Sequence, residues 1–168
     1  TIHSFSWELI KPYRHDIREW LRENLKKEIA ELEEAQRKGR PGTKAFVDRP
    51  RQIDAKSKRI DALDNTTCFT YNPNGDNFGQ DSLSHTEVIS IASDFLSEKT
   101  LMQRLLVQQY PILLIDESQD TNRKLIESLF QVQKEHQERF VLGLFGDTMQ
   151  RIYFDGKVDL SKSIPSSW

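Results

Sequence analysis

Ile17, Leu21, Leu25, Ile29 and Leu32 fall four, four, four and three residues apart, the spacing of one helical face. They predict one long helix over residues 14–38, with Trp20 widening the apolar stripe. Glu31, Glu33 and Glu34 precede Arg37 and Lys38, so positive charge gathers at the carboxyl end, where the helix dipole favours it. Gly39-Arg40-Pro41-Gly42 then stops the helix. The stripe reads as core or inter-helix packing. From Thr66 the pattern changes to Thr66-Thr67-Cys68-Phe69-Thr70-Tyr71, β-branched and aromatic residues ahead of the turn-rich Asn72-Pro73-Asn74-Gly75-Asp76-Asn77. This predicts a strand and a short hairpin. Ser84 and Glu87 have capping-box spacing ahead of Val88, Ile89, Ile91, Ala92, Phe95 and Leu96, so a helix starts at Ser84. A further short helix covers Leu101 to Gln108.

The last third follows another pattern. Ile112-Leu113-Leu114-Ile115 is an unbroken apolar run, as expected of a strand buried on both faces of a parallel sheet. Leu125, Ile126, Leu129, Phe130 and Val132 form the apolar side of a helix near residues 123–135. A second buried strand follows at Phe140-Val141-Leu142-Gly143-Leu144-Phe145. Strand, helix, strand in so short a span is a βαβ unit.

Composition narrows the class. The chain has 168 residues with 24 Lys/Arg against 26 Asp/Glu, a net charge of -2, which suits one domain with a moderate core. No apolar run is long enough to cross a bilayer. The single Cys68 excludes an internal disulfide framework and a Cys-rich zinc site. With no secretory leader, the expected setting is reducing and cytoplasmic. The opening at Thr1, without Met, and the end at Trp168 suggest a piece of a longer polypeptide.

The near-neutral total hides an asymmetry. Residues 13–63 carry 14 Lys/Arg against 10 Asp/Glu, the remainder 10 against 16. From Arg37 to Arg59 nine basic residues face only Asp48 and Asp54. Such a stretch is either a solvated, partly mobile loop or a contact for a polyanion such as nucleic acid.

Acidic residues sit where each strand stops. The first ends in Asp116-Glu117-Ser118-Gln119-Asp120, the second in Gly146-Asp147-Thr148-Met149-Gln150. Parallel strands deliver both to the carboxyl edge, where ligands of open α/β sheets bind. An Asp there can hold Mg²⁺ while the adjacent carboxylate deprotonates an attacking water, and magnesium needs only one or two carboxylates. An ordinary solvated turn or helix cap has the same local pattern.

Four stretches carry a resemblance. Ile115-Asp116-Glu117-Ser118-Gln119-Asp120-Thr121-Asn122 resembles motif II of the UvrD/Rep group of superfamily 1 DNA helicases. Phe145-Gly146-Asp147-Thr148-Met149-Gln150-Arg151-Ile152-Tyr153 resembles their motif III. Thr1-Ile2-His3-Ser4-Phe5 resembles motif Ib, and Leu83-Ser84-His85-Thr86-Glu87-Val88 the short motif ahead of motif II. The resemblance implies an α/β fold, an incomplete RecA-like P-loop NTPase motor domain with a mainly helical inserted subdomain. Residues 1–12 would be the motif Ib segment of motor domain 1A, residues 13–83 a 1B-like insertion, and residues 84–168 the remainder of 1A.

By the same resemblance Asp116 would bind the Mg²⁺ of Mg-ATP and Glu117 would be the general base. Gln119 and Asp120 would support that site. Gln150 would contact the γ-phosphate and couple its loss to movement of the DNA track. Tyr153 would lie by single-stranded DNA, where an aromatic face stacks without reading sequence, and Phe154 would supply the stacking face lost with the family's usual Trp. Thr1 and His3 would contact the DNA backbone. Two departures stand out: Phe154-Asp155-Gly156-Lys157 replaces a usual Trp and Arg-Gly pair, and Ser118 stands where Phe or Tyr is common.

The implied parent is an ATP-dependent helicase that translocates on single-stranded DNA and separates duplex DNA, using ATP, Mg²⁺ and a second motor domain of the same chain. No G-x-x-x-x-G-K-[ST] loop occurs, so this piece alone is expected to be inactive as an ATPase. The alternatives are a stand-alone nucleic-acid-binding module, or a metal-dependent nuclease using Asp116, Glu117 and Asp147. His3, His15, His85 and His136 are dispersed; His85 reads as structural or as a DNA contact, and Cys68 as a small buried hydrophobe.

Overall fold

The computed structural model describes residues 1–146, and the chain forms two units. One comprises Thr1–Ile10 together with the chain from His85 onward; the other is Lys11–Ser84.

In the first unit, α4 (His85–Glu98) is central, touching α1 (Ile2–Ile10), α5 (Thr100–Gln109) and α6 (Arg123–Glu135). Its Val88, Ile91, Ala92 and Leu96 are fully buried, as are Leu125, Ile126, Leu129 and Val132 of α6. Burial of such side chains stabilises by about 1.5–3 kcal/mol each. Asn122 caps α6: its side-chain oxygen accepts from the Lys124 and Leu125 amides at 3.0 and 3.4 Å. Strands β1 (Ile112–Ile115) and β2 (Val141–Leu144) pair in parallel, Ile112 opposite Val141 and Ile115 opposite Leu144, with α6 as the crossover. The result is a mostly helical α/β unit with a two-stranded parallel sheet.

The pairing follows the apolar runs, but the expected burial of both strand faces does not. Ile115 and Leu142 are buried, whereas Ile112 is 64%, Leu114 61% and Val141 and Phe145 each 56% exposed. Among the described residues, one face of this sheet carries no covering layer.

The second unit is a helical hairpin, α2 (Arg14–Arg37) against α3 (Lys44–Leu63). Ion pairs Arg22–Asp64 and Glu28–Lys56 and the contact of Gln36 with Phe46 climb α2 while descending α3, so the helices are antiparallel. Ile17, Leu21 and Leu25 of the predicted stripe are buried, Ile29 and Leu32 half-buried. The basic stretch is a correction to the solvated-loop reading, because most of it is α3. Thr43 caps that helix, its hydroxyl accepting from the Phe46 amide at 3.3 Å. Gly42 at φ +85° makes the preceding turn, a conformation glycine adopts without steric cost.

Residues 66–71 also differ from expectation. They are extended but form no strand and no hairpin, only an isolated bridge of Thr70 with Ser82. Arg18 and Arg14 donate to the Thr66 and Thr67 carbonyls at 2.6 and 3.1 Å, taking acceptors that a ladder would use. Asn72 and Asn77 knit the following loop: the Asn77 side chain accepts from the Asn72 amide at 2.6 Å and donates to the Asn72 carbonyl at 3.0 Å, the local competition with ladder pairing that Asn favours. Cys68 is exposed, not buried. In this extended run Phe69 turns inward, at 6% exposure, and its neighbour faces out. No helix among the described residues is long and apolar enough to cross a membrane.

Candidate nucleotide and nucleic-acid site

The acidic run after β1 is a tight turn held at both ends. Ile115 is buried, and its carbonyl accepts from the Phe145 amide at 2.8 Å. One step on, the Phe145 carbonyl accepts from the Ser118 amide at 2.9 Å. Two backbone bonds therefore clasp the end of β2 around Asp116 and Glu117, both exposed. Glu117 is left-handed, φ 50° and ψ 43°, and is the positive-φ non-glycine among the described residues. That conformation costs about 1–2 kcal/mol for a residue with a Cβ, and such strain gathers at functional sites. The Asp116 side chain supports it by accepting from the Glu117 amide at 2.9 Å.

The turn continues as a 3₁₀ segment, Ser118–Asp120, in which the Asp120 amide donates to the Glu117 carbonyl at 3.0 Å. Ser118 and Thr121 are buried at 3% and 5% exposure, so the turn is rooted in the unit while its carboxylates face outward. Gln119 lies within this segment. Asp116 keeps one carboxylate oxygen outside the Glu117 bond. No group of three or more His, Cys, Asp or Glu among the described residues could enclose a metal. An exposed carboxylate pair of this kind fits a magnesium ion that keeps most of its waters and takes its other ligands from phosphate.

The backbone clasp brings Gly146 beside the acidic turn. Asp147, Gln150, Tyr153 and Phe154 lie outside the described residues.

Thr1 acts as a helix cap in this structure. Its hydroxyl accepts from the Ser4 amide at 3.2 Å and shares a hydrogen bond with the Ser4 hydroxyl at 2.9 Å, as an N-terminal cap does. His3, in the first turn of α1, meets His85, the first residue of α4, edge to face with ring centroids 5.3 Å apart. Burial, then the neighbouring His85, then the terminal ammonium hold His3 below the ordinary imidazole pKa. This pairing of two distant histidines has no spacing signal in the sequence.

The profile of the UvrD/REP helicase N-terminal domain matches residues 1–154. The chain belongs to that family. Gabija protein GajB of Bacillus cereus (strain HuB5-5) is 33% identical to this chain over 86 residues, covering 49% of this chain and 13% of that protein. The chain thus spans 13% of the length of this relative. No solved structure matches significantly. Against the UvrD/REP background the buried Ser118 is informative: the side chain at this position goes inward while its amide binds the second strand.

Proposed function

We propose that this chain is part of an ATP-dependent DNA helicase, in which the carboxyl edge of β1 and β2 receives the triphosphate. The observation that carries the reading is the clasp of Ser118 and Phe145, which holds exposed Asp116 and Glu117 at the end of paired parallel strands. Family membership supports it. Asp116 holds Mg²⁺, which when bound offsets charge on the phosphates. Glu117, exposed at the end of β1, accepts a proton from the attacking water. Gln119 and Asp120 keep the turn in place. Gln150 senses the γ-phosphate, and the second motor domain of the parent closes the site.

Thr1, His3, Tyr153 and Phe154 contact the DNA, and residues 13–83 serve as the 1B-type insertion between the two parts of motor domain 1A. Thr1 in its capping role still leaves its side chain exposed, at a helix amino end, where a phosphate is favoured.

The test is DNA-stimulated ATP turnover by the intact parent carrying Glu117→Gln. Loss of a general base lowers turnover by about 10²–10⁴-fold, with nucleotide binding retained. Unchanged turnover rejects Glu117 as the base.

A further inference from the structure

A second charged feature lies at the opposite end of the strands from Asp116 and Glu117. The α5 helix ends at Gln109 just before β1, and α6 ends at Glu135 just before the turn into β2. A cleft of about 1050 Å³ opens there, lined by residues that include Arg104, Lys134, His136, Glu138 and Arg139. Arg104 comes from α5, Lys134 from α6 and Arg139 from the turn, so three segments deliver one cation each. All three are exposed. Among the described residues no carboxylate pairs with any of them.

The floor of the cleft is fixed. The His136 ring shares a 3.3 Å hydrogen bond with Gln103. Gln103 is 2% exposed and donates to the Leu96 carbonyl at 3.0 Å, tying the cleft to the end of α4. The His136 carbonyl accepts from the Arg139 and Phe140 amides at 2.9 and 3.0 Å, which sets the turn that presents Arg139. Two carboxylates share the cleft with the three cations: Glu135, which accepts from Gln131 at 3.0 Å, and Glu138, so positive charge is in excess by one.

We infer that this cleft is a second nucleic-acid contact, in which Arg104, Lys134 and Arg139 grip a phosphodiester backbone at the amino end of the sheet. The inference rests on the nucleic-acid reading above and adds a site that the motifs do not mark. A protein partner would be expected to meet an apolar centre, whereas Val107 is the apolar residue of this lining. Exposed, unpaired cations on separate segments instead suit a repeating anion read without regard to sequence.

The experiment is fluorescence anisotropy of fluorescein-labelled oligothymidylate with the 168-residue chain across a salt series. Two variants test the cleft: Arg104→Ser/Lys134→Ser/Arg139→Ser, with circular dichroism to verify folding, and the single surface change Glu138→Lys. The triple variant is expected to bind at least about tenfold more weakly at low salt and to lose about 2 from the slope of log affinity against log salt; Glu138→Lys should bind more tightly. Wild-type affinity and slope in both variants would overturn the cleft, and leave the Glu117→Gln turnover result standing as a separate matter. Absence of oligonucleotide binding by the wild-type chain at low salt would overturn it too. So would binding of poly-glutamate, but not the oligonucleotide, through the same three cations, which would assign the cleft to an acidic protein.

Discussion

Gln36 of α2 donates its side-chain amide to the Phe46 carbonyl of α3 at 3.1 Å, and Phe46 stands four residues before Pro50. A proline inside a helix has no amide for the carbonyl one turn back. Gln36 takes the place of that missing donor across the hairpin, so a tertiary contact repairs a local defect.

Gln36→Ala should therefore destabilise the chain by about 1 kcal/mol. In a Pro50→Ala background, where residue 50 regains an amide for the Phe46 carbonyl, the same change should cost less. Urea unfolding of the four chains of this cycle measures the difference. Equal costs in both backgrounds would count against the repair.

The cap on α6 gives a second prediction. Asn122→Ala removes the acceptor for two amides and should cost about 1 kcal/mol. Asn122→Asp, which keeps an acceptor oxygen beside a helix start, should restore most of it. Thermal unfolding followed by circular dichroism separates the two, and an Asp variant as unstable as the Ala one would reject the cap.

Glu117 adopts its left-handed backbone at a steric cost. Glu117→Gly should leave stability unchanged or slightly raised, because relief of that cost offsets the greater freedom of glycine in the unfolded chain. Glu117→Val should lower stability by about 1 kcal/mol or more, since a branched Cβ tolerates this conformation poorly. If valine and glycine unfold at the same denaturant concentration, the residue is not held at positive φ in solution.

His3 titrates below the ordinary value of 6.5, mainly through burial and then through His85. The folded chain thus binds fewer protons here than the unfolded chain. This contribution to stability is fully present above pH 6.5 and is lost as pH falls from there through the folded pKa. Proton NMR should place the His3 midpoint below that of a free imidazole, and His85→Gln should move it upward. A midpoint unaffected by His85→Gln would remove the neighbouring ring as a cause.

How far the fold could be read beforehand depended on whether local chemistry agreed with tertiary structure. Ile17, Leu21 and Leu25 mark α2 because a dense periodic stripe faces one partner. Leu125, Ile126 and Leu129 mark α6 for the same reason. The α3 helix was hidden. Phe46, Ile53 and Ile60 recur only every second turn among six cations of α3, and Pro50 reads as a breaker until Gln36 is seen donating to the Phe46 carbonyl. Residues 66–71 failed in the opposite sense: β-branched residues favour a strand, but Arg14 and Arg18 reach across to their carbonyls. At the candidate site, the acidic residues at the end of β1 were legible from the apolar run before them. The left-handed Glu117 and the Ser118–Phe145 bond were not, because both depend on the register of a strand that arrives later in the chain. The cationic cleft gave no signal either, since α5, α6 and a turn each supply a single residue.

That late arrival has a consequence for biosynthesis. Asp116 and Glu117 are translated before Phe145, the residue whose carbonyl anchors the Ser118 amide. During elongation, the loop waits without its clasp until α6 has folded back and β2 has slid in alongside β1. A chain that ended between α6 and β2 would carry these two carboxylates without the backbone bonds that clasp their turn, and those bonds form only after residues through Phe145 have left the ribosome and β2 lies beside β1.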